Sequence, residues 1–356
     1  MTATRAKATA IGLEFEPLDL TTTHPFGISY GTSSDTHNVL VRLKYEDFTG
    51  LGEAAPASYH GETRQTVLAV LSSWKDTEIL GNCPFAISQV TDRLDKFVAG
   101  HNSAKAAIEM ALHDLAGKIC GQPVRNMLGL SQMPVPMTDF TIGIDSLDMV
   151  EKKTREAVDA GYKMLKVKQG TDYDKEIIKT IRKVAPSIPL RVDANGAWKP
   201  KRAIEMSRFL KEHNVEFIEQ PLPKNASVDD FRHVRQAAAI PIYADESVCR
   251  SNDVARLSGA VDGVVVKLAK TGGLLEAIKV IHTARAHGMK VMIGCMIESS
   301  IGVTAAFHLA GLVDHLDLDG AMLLKNDPFD GASYDDGYLH LRDLPGLGVS
   351  ERKQAK

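Results

Sequence analysis

This chain lacks the marks of a disulfide-built, membrane-spanning or polyanion-binding protein. Its four cysteines, Cys83, Cys120, Cys249 and Cys295, stand far apart and form no CxxC pair. That argues against a disulfide framework or a zinc site and suits reduced thiols in a cytoplasmic protein. No window approaches the ~18 apolar residues of a membrane span. The opening MTATRAKATAIGLEF has no apolar core long enough for a signal peptide. A formal charge of -3 gives no electrostatic reason to expect nucleic acid or an anionic membrane as partner. There is no low-complexity segment. What remains is an ordinary soluble composition, 44% hydrophobic and 24% charged, over 356 residues. That length favours two domains, or one large domain with elaborations.

Six short apolar runs each end in a charged residue. They are MLKVK to Lys168, LRVD to Asp193, FIE to Glu219, IYAD to Asp245, VVVK to Lys267 and LDLD to Asp319. From Lys168 to Lys267 the successive steps are 25, 26, 26 and 22 residues. A strand, a helix and two short loops fill about that length. The residue before each terminal charge is apolar: Val167, Val192, Ile218, Ala244, Val266 and Leu318. Strand side chains alternate faces, so the apolar set can face covering helices while the charged set faces a common interior. That is the pattern of a parallel (β/α) barrel with its chemistry at the carboxyl ends of the strands.

Residues 1–60 read as β-rich, in IGLEFEPLDL and HNVLVRLKYEDFTGLGEA. Between these runs THPFGISYGTSS reads as a mobile loop, and AAPASYHGET as a second loop after them. SAKAAIEMALHDLAGK reads as a helix with Ser103 as N-cap, broken at Gly121 to Pro123. Eight strand candidates follow from Pro136 onward, starting with TDFTIGI and ending with HLDLDG. SYDDGYLHL reads as a hairpin that returns to the N-terminal part. The expected organisation is an α+β domain over 1–128, completed by 331–356, and a barrel over 129–330.

Asp193, Glu219 and Asp245 lie on successive strands. Held close without a cation they would repel and their pKa values would rise; a hard divalent ion resolves the conflict. Magnesium prefers oxygen ligands and keeps positions open for water or substrate, and no His or Cys accompanies the three to favour zinc. Any one of them alone is as readily a helix-capping carboxylate; three in register are much less so. Lys166 and Lys168 are two apart on one strand, and Lys267 sits four strands later, across a barrel of eight. The metal, neighbouring cations and partial desolvation are expected to lower such lysine pKa values. Asp317 and Asp319 share a face on the last strand and suit a ligand ammonium, or equally a structural cap of the next loop. Glu298 supports the lysine side or caps the helix that follows. Gly272 and Gly273 read as a tight turn, and His24, His37, His60 and His282 as surface or lid residues.

At these residues the chain resembles the enolase superfamily, in its muconate lactonizing enzyme subgroup. KAAIEMALHDLAGK, KVK, VDAN, IEQP, ADES and KLAKTGG match that subgroup's signatures in order, over almost the whole chain. The resemblance implies an α/β fold: a modified (β/α)7β TIM barrel with an N-terminal α+β capping domain completed by the C-terminal segment. It implies Mg2+ on Asp193, Glu219 and Asp245, and acid/base chemistry by Lys168 and Lys267. Lys166 would help neutralise the substrate carboxylate.

HLDLDG resembles the DxD motif of the dipeptide epimerase branch, where the pair holds a dipeptide's α-ammonium; Thr141 to Ile144 and Cys295 to Ser299 also resemble that branch. The activity implied is a two-base 1,1-proton transfer at the C-terminal residue's α-carbon through a metal-stabilised enediolate. Relatives selective for L-Ala-D/L-Glu carry a basic residue on the first lid loop. Here the loop His24 to Thr36 has no Arg or Lys, and Tyr30 takes the corresponding place. Ile297 stands where cation-selective relatives carry an acid. Both imply a dipeptide with a neutral side chain. The alternatives are L-Ala-D/L-Glu epimerisation, N-acylamino acid racemisation, cycloisomerisation, or an inactive barrel used for binding. Relatives are often homo-oligomers, so the same is open for this chain.

Overall fold

The computed structural model describes residues 9–75 and 77–353. The first eight residues, part of the opening that carries no signal-peptide pattern, lie outside the described residues.

Alternating apolar residues build the first layer. Strands β1 (Gly12–Ile28), β2 (Gly31–Tyr45) and β3 (Phe48–Ala54) form an antiparallel sheet in that order. Helices α1 (Arg64–Lys75), α2 (Ile87–Phe97) and α3 (Asn102–Cys120) follow. Val39, Val41 and Leu43, spaced by two, meet Ile108, Ala111, Leu112 and Leu115, spaced helically, in one core. Gly50 and Gly52 let the two elements touch backbone to backbone. A Cβ at Gly52 would lie 1.9 Å from the Ala107 carbonyl oxygen.

Two local expectations are corrected here. The segment from His24 to Thr36 is not a loop: it is the paired tip of the β1–β2 hairpin, closed by the two residues between Ile28 and Gly31. Its polar side chains suggested a loop, but backbone pairing across a hairpin does not need apolar side chains. Ser103 is not the N-cap of α3. His101 takes that position with a left-handed φ of 51°, and the helix begins at Asn102. Glu62, from the second cap loop, accepts from the Asn102 and Ser103 amides and the Ser103 hydroxyl, and so does the capping from a distance.

After α4 (Val124–Met127) the barrel begins. Strands β4 (Phe140–Ile142), β5 (Leu165–Lys168), β6 (Leu190–Asp193), β7 (Val215–Glu219), β8 (Ile242–Ala244), β9 (Gly263–Val266), β10 (Lys290–Gly294) and β11 (His315–Asp317) pair in sequence, all parallel. A parallel bridge from Thr138 to Leu316 closes the ring. The crossovers are α5 (Leu147–Asp159), α6 (Asp174–Val184), α7 (Pro200–Glu212), α8 (Val228–Ala237), α9 (Ser251–Arg256), α10 (Leu268–Thr271) with α11 (Leu274–Ala286), and α12 (Ser300–Phe307). Eight strands with seven helical crossovers make the (β/α)7β barrel that the spacing and the resemblance imply. Val167, Val192, Ile218, Ala244, Val266 and Leu318 are fully buried in the strand–helix core, as alternation requires.

The C-terminal segment divides its contacts. β13 (Ser333–Asp335) and β14 (Tyr338–His340) form the expected hairpin. It stays on the barrel, with Tyr334 packed on Tyr162 at 4.6 Å between ring centroids and Asp336 paired with Lys163 at 3.0 Å. The return to the first domain is made further on: the Leu347 amide donates to Asp114 of α3 at 2.8 Å. The last strand, β15 (Ser350–Glu351), pairs with β12 (Phe329–Asp330), and Glu351 binds Arg42 at 2.7 Å.

Buried carboxylates join the two layers. Glu53 of β3 accepts from the Ser299 and Gly302 amides and so caps α12. Glu109 of α3 accepts from the Leu274 and Leu275 amides at the start of α11. Each places an anion against the positive end of a barrel helix. Gly273 makes room for Glu109, since a Cβ there would stand 2.3 Å from its Oε2. The Gly272–Gly273 pair is therefore a turn built around a side chain of the cap.

Candidate active site

Alternation along the strands brings the predicted charges together. Asp193, Glu219 and Asp245 are buried at the carboxyl ends of β6, β7 and β8, and each offers an oxygen within 4.8 Å of the others. Lysines converge on them. Lys168 Nζ donates to Asp193 Oδ2 at 2.6 Å, Lys267 Nζ lies 2.9 Å from Asp245 Oδ2, and Lys166 Nζ lies 2.7 Å from Glu219 Oε2. The last contact is close but not aligned as a hydrogen bond, and both Glu219 oxygens lack a hydrogen-bond partner. An all-oxygen, buried, anionic set with orphaned oxygens fits a hard divalent cation and does not fit zinc.

The electrostatics sort the three carboxylates. Burial and the neighbouring Asp193 push Glu219 well above the usual carboxylate range. Burial acts the same way on Asp193 and Asp245, but Lys168 and Lys166 hold the first low, and Lys267 and Lys270 hold the second lower still. For Lys166 and Lys267 the expected depression is not what the protein groups produce. Burial alone would lower Lys166 and Lys267, yet Asp317 and Glu219 beside the first, and Asp245 beside the second, raise both well above the ordinary lysine value. Carboxylates outnumber nearby cations here, so only a charge that engages those carboxylates would release the amines.

Above this cluster opens a cavity of about 380 Å³. Lys168, Lys267, Thr141, Ile297, Asp317, Asp319 and Tyr30 all line it. Lys166 is fully buried behind this lining and donates to Asp317 Oδ2 at 2.6 Å. Asp319 takes the Thr141 amide on Oδ2 at 2.6 Å, and the Thr141 hydroxyl reaches Asp317 at 3.4 Å. Burial first and Asp317 second push Asp319 up to about 6, while Lys166 holds Asp317 low against its own burial. Glu298 is also buried, and burial and Glu53 push it up to about 8. It does not cap α12: Ser299 and Glu53 do that. His24 and His37 pair with Glu156 and Asp19 at the hairpin surface, as lid residues should.

Several residues at the site were not singled out in the sequence. Tyr59, on the second cap loop, stacks on Tyr30 with centroids 4.9 Å apart, and its hydroxyl reaches Met296 Sδ at 3.3 Å. Lys224 donates to the Tyr59 carbonyl and holds that loop down. Ser29 does the same for the hairpin, donating to the Asn195 carbonyl at 2.8 Å. Asn195 also bridges Asp193 and Glu246, at 3.1 Å each. Lys270, one helical turn after Lys267, is buried and bonded to Asp245 through both its carbonyl and its carboxylate. Only Asn195 and Lys270 had a local signal, being two and three residues from predicted positions; Tyr59 and Lys224 meet the site from distant loops.

The chain resembles known proteins over both layers. Residues 15–129 match the family described as mandelate racemase / muconate lactonizing enzyme, N-terminal domain, and residues 149–355 match enolase C-terminal domain-like. An L-Ala-D/L-Glu epimerase of Bacteroides thetaiotaomicron is 41% identical over 95% of this chain and 87% of its own length. A hydrophobic dipeptide epimerase of Roseobacter litoralis is 34% identical over 94% and 98%. The crystal structure of a dipeptide epimerase from Cytophaga hutchinsonii, complexed with Mg and D-Ala-L-Val, superposes with a TM-score of 0.92 at 32% identity, covering 97% of each chain.

Proposed function

The chain belongs to the enolase superfamily, in its mandelate racemase and muconate lactonizing enzyme branch, and from that premise we propose that it is a magnesium-dependent dipeptide epimerase. Asp193, Glu219 and Asp245 would hold the ion, with Asn195 and Lys270 orienting two of them. When bound, the ion supplies charge stabilisation to a substrate carboxylate whose neighbouring carbon gives up its proton. Lys166, fully buried, adds positive charge beneath that carboxylate. Asp317 and Asp319 receive the ammonium of the N-terminal residue, which fixes the C-terminal α-carbon between the two ends of the cavity. Lys168 and Lys267 reach the cavity from strands four apart, so one takes the α-proton and the other returns one to the opposite face. The hairpin and the loop carrying Tyr59 cover the reaction and keep water out.

The observation that carries this reading is that two anionic sites meet at one cavity: Asp317 and Asp319 line it, suited to an ammonium, and the buried triad suited to a cation lies against its lining residues Lys168 and Lys267. An N-blocked substrate would bring no ammonium to Asp317 and Asp319. The preferred C-terminal side chain is neutral. Lys168 and Lys267 are the cations among the described residues lining the cavity, and both are committed to the reacting carbon. The stacked Tyr30 and Tyr59 offer an aromatic wall instead. A dipeptide library incubated with the protein and magnesium in heavy water, read by mass spectrometry, tests this. Deuterium should enter neutral dipeptides at the C-terminal α-carbon. Preference for Ala-Glu over every neutral dipeptide would overturn the side-chain assignment, and epimerisation at the parent rate in Lys267→Ala would overturn the two-base assignment.

A further inference from the structure

A second cavity, of about 200 Å³, lies beside the first. Phe26, Thr141 and Leu323 line both, so the partition between them is one side chain thick. The far wall is apolar and aromatic, made by Phe140 of β4, Ala157 of α5, Tyr162 and Met322. Phe140 and Tyr162 stack with centroids 4.3 Å apart, and the Tyr162 hydroxyl points to Met322 Sδ at 3.5 Å. The charged groups at its lip already have partners. His24 Nε2 meets Glu156 Oε2 at 2.7 Å, and Lys153 Nζ meets Asp145 at 2.9 Å and the Pro25 carbonyl at 3.1 Å.

The position of this cavity is what gives it meaning. Thr141 stands in the partition, and its amide donates to Asp319. If an ammonium sits on Asp317 and Asp319, the carbon that carries it is one bond away and the side chain of that residue starts at the partition. Leu323 ends the short turn Gly320–Leu323 that follows Asp319, and its side chain lines both cavities.

We propose that this second cavity is the subsite for the side chain of the substrate's N-terminal residue, and that it takes a branched aliphatic or aromatic group. The proposal rests on the dipeptide reading above. Size agrees: an apolar cavity of ~150 Å³ holds a benzene-sized group, and this one is larger. Chemistry agrees too, since among the described residues the charged groups lining the space, His24, Lys153 and Glu156, are paired, so an apolar side chain leaves them satisfied.

The test reads the ratio of kcat/KM for Leu-Xaa over Ala-Xaa, where Xaa is the parent's best C-terminal residue, by deuterium exchange. Ala157→Leu fills the cavity from the helix side, away from the ammonium site. Leu323→Ala thins the partition. The ratio should fall about tenfold or more in the first, as expected when a methylene or more of pocket is lost, and should rise in the second. An unchanged ratio in both overturns the subsite while leaving the epimerase reading intact. If Ala157→Leu does not fold, Leu323→Ala decides alone: an unchanged or lowered ratio overturns the subsite. A parent that exchanges no dipeptide at all overturns the epimerase reading, and the subsite with it.

Discussion

The barrel interior has two layers of inward-facing side chains, built from the same strands two residues apart, and they solve opposite problems. The upper layer is Lys168, Asp193, Glu219, Asp245, Lys267 and Asp317. The lower layer, two positions earlier on each of these strands, is Lys166, Arg191, Phe217, Tyr243, Val265 and His315. Below, polar groups are packed and mostly paired, with Asp139 Oδ1 left without a hydrogen-bond partner. Arg191 donates to Asp139 at 2.9 Å, Glu216 at 3.0 Å and the Leu316 carbonyl at 3.1 Å, and approaches His315 Nδ1 at 3.0 Å. Its guanidinium lies over Phe217, which stacks on Tyr243 at 4.1 Å, and Val265 and Met292 complete the plug. Above, charges compete, and Glu219 keeps two oxygens without hydrogen bonds. One layer holds the barrel shut; the other stores unmet electrostatic demand for a ligand. Lys166 is the seam, since it starts in the lower register and reaches the upper carboxylates. Buried polar groups are normally satisfied, so the layer in which both oxygens of one carboxylate go unbonded among competing charges is the functional one.

Substitutions should separate the layers. The largest effect belongs above: Lys168→Ala or Lys267→Ala should slow epimerisation by about 10²–10⁴-fold, the usual contribution of a positioned acid or base, with the urea midpoint showing no comparable loss. Next comes the lower layer. Arg191→Met strands Asp139 in the core and should cost about 3–5 kcal/mol of stability, measured by urea unfolding, with kcat per folded molecule little changed. If that variant lost turnover and kept its stability, the division of labour would be wrong.

A smaller effect tests the orphaned oxygens. Magnesium at a hundred times its Kd should stabilise the parent by about 2.7 kcal/mol, read as a rise in Tm. Glu219→Gln should lose most of that rise. The smallest effect is a pH dependence. Burial and Asp317 push Asp319 up to about 6, so it takes up a proton as the pH falls through 6 and can no longer accept an ammonium as an anion. Losing a charge-assisted hydrogen bond of about 1.5–3 kcal/mol through one proton taken up near pH 6 should raise KM by about tenfold at most between pH 7 and 5. The sign for stability is opposite. A carboxyl whose folded pKa lies above its unfolded value binds more protons when folded, so this group adds stability as the pH falls. A rise in KM with an undiminished urea midpoint would identify binding, not unfolding, as the cause.

The ring of charges was legible because its members end apolar runs, with Lys166 two residues inside the first, and the runs recur at one strand–helix length. Lys166, Lys168, Asp193, Glu219, Asp245 and Lys267 needed no knowledge of distant contacts to be placed in one interior. The hairpin tip was not legible: the polar run from His24 to Thr36 has loop composition and strand backbone. Nor was the capping of α3 by Glu62, of α12 by Glu53 or of α11 by Glu109. In each, an acid far along the chain does what a neighbouring Ser or Asp usually does, and no local pattern records that. Tyr59 illustrates the same limit, since its place on Tyr30 depends on two loops meeting over the barrel mouth.

Alternation and spacing are local properties of the backbone, set by strand pleat and helix pitch, so the chain alone determined the barrel, its strand order and which residues face inward. Packing between distant segments decided the rest: which acids cap which helices, how the cap closes, that Asp319 stands against Thr141, and that an apolar cavity opens behind it. Those contacts join residues from 40 positions apart, as Glu62 and Asn102, to 246 apart, as Glu53 and Ser299, and only the close-packed interior selects among the many partners each could have had.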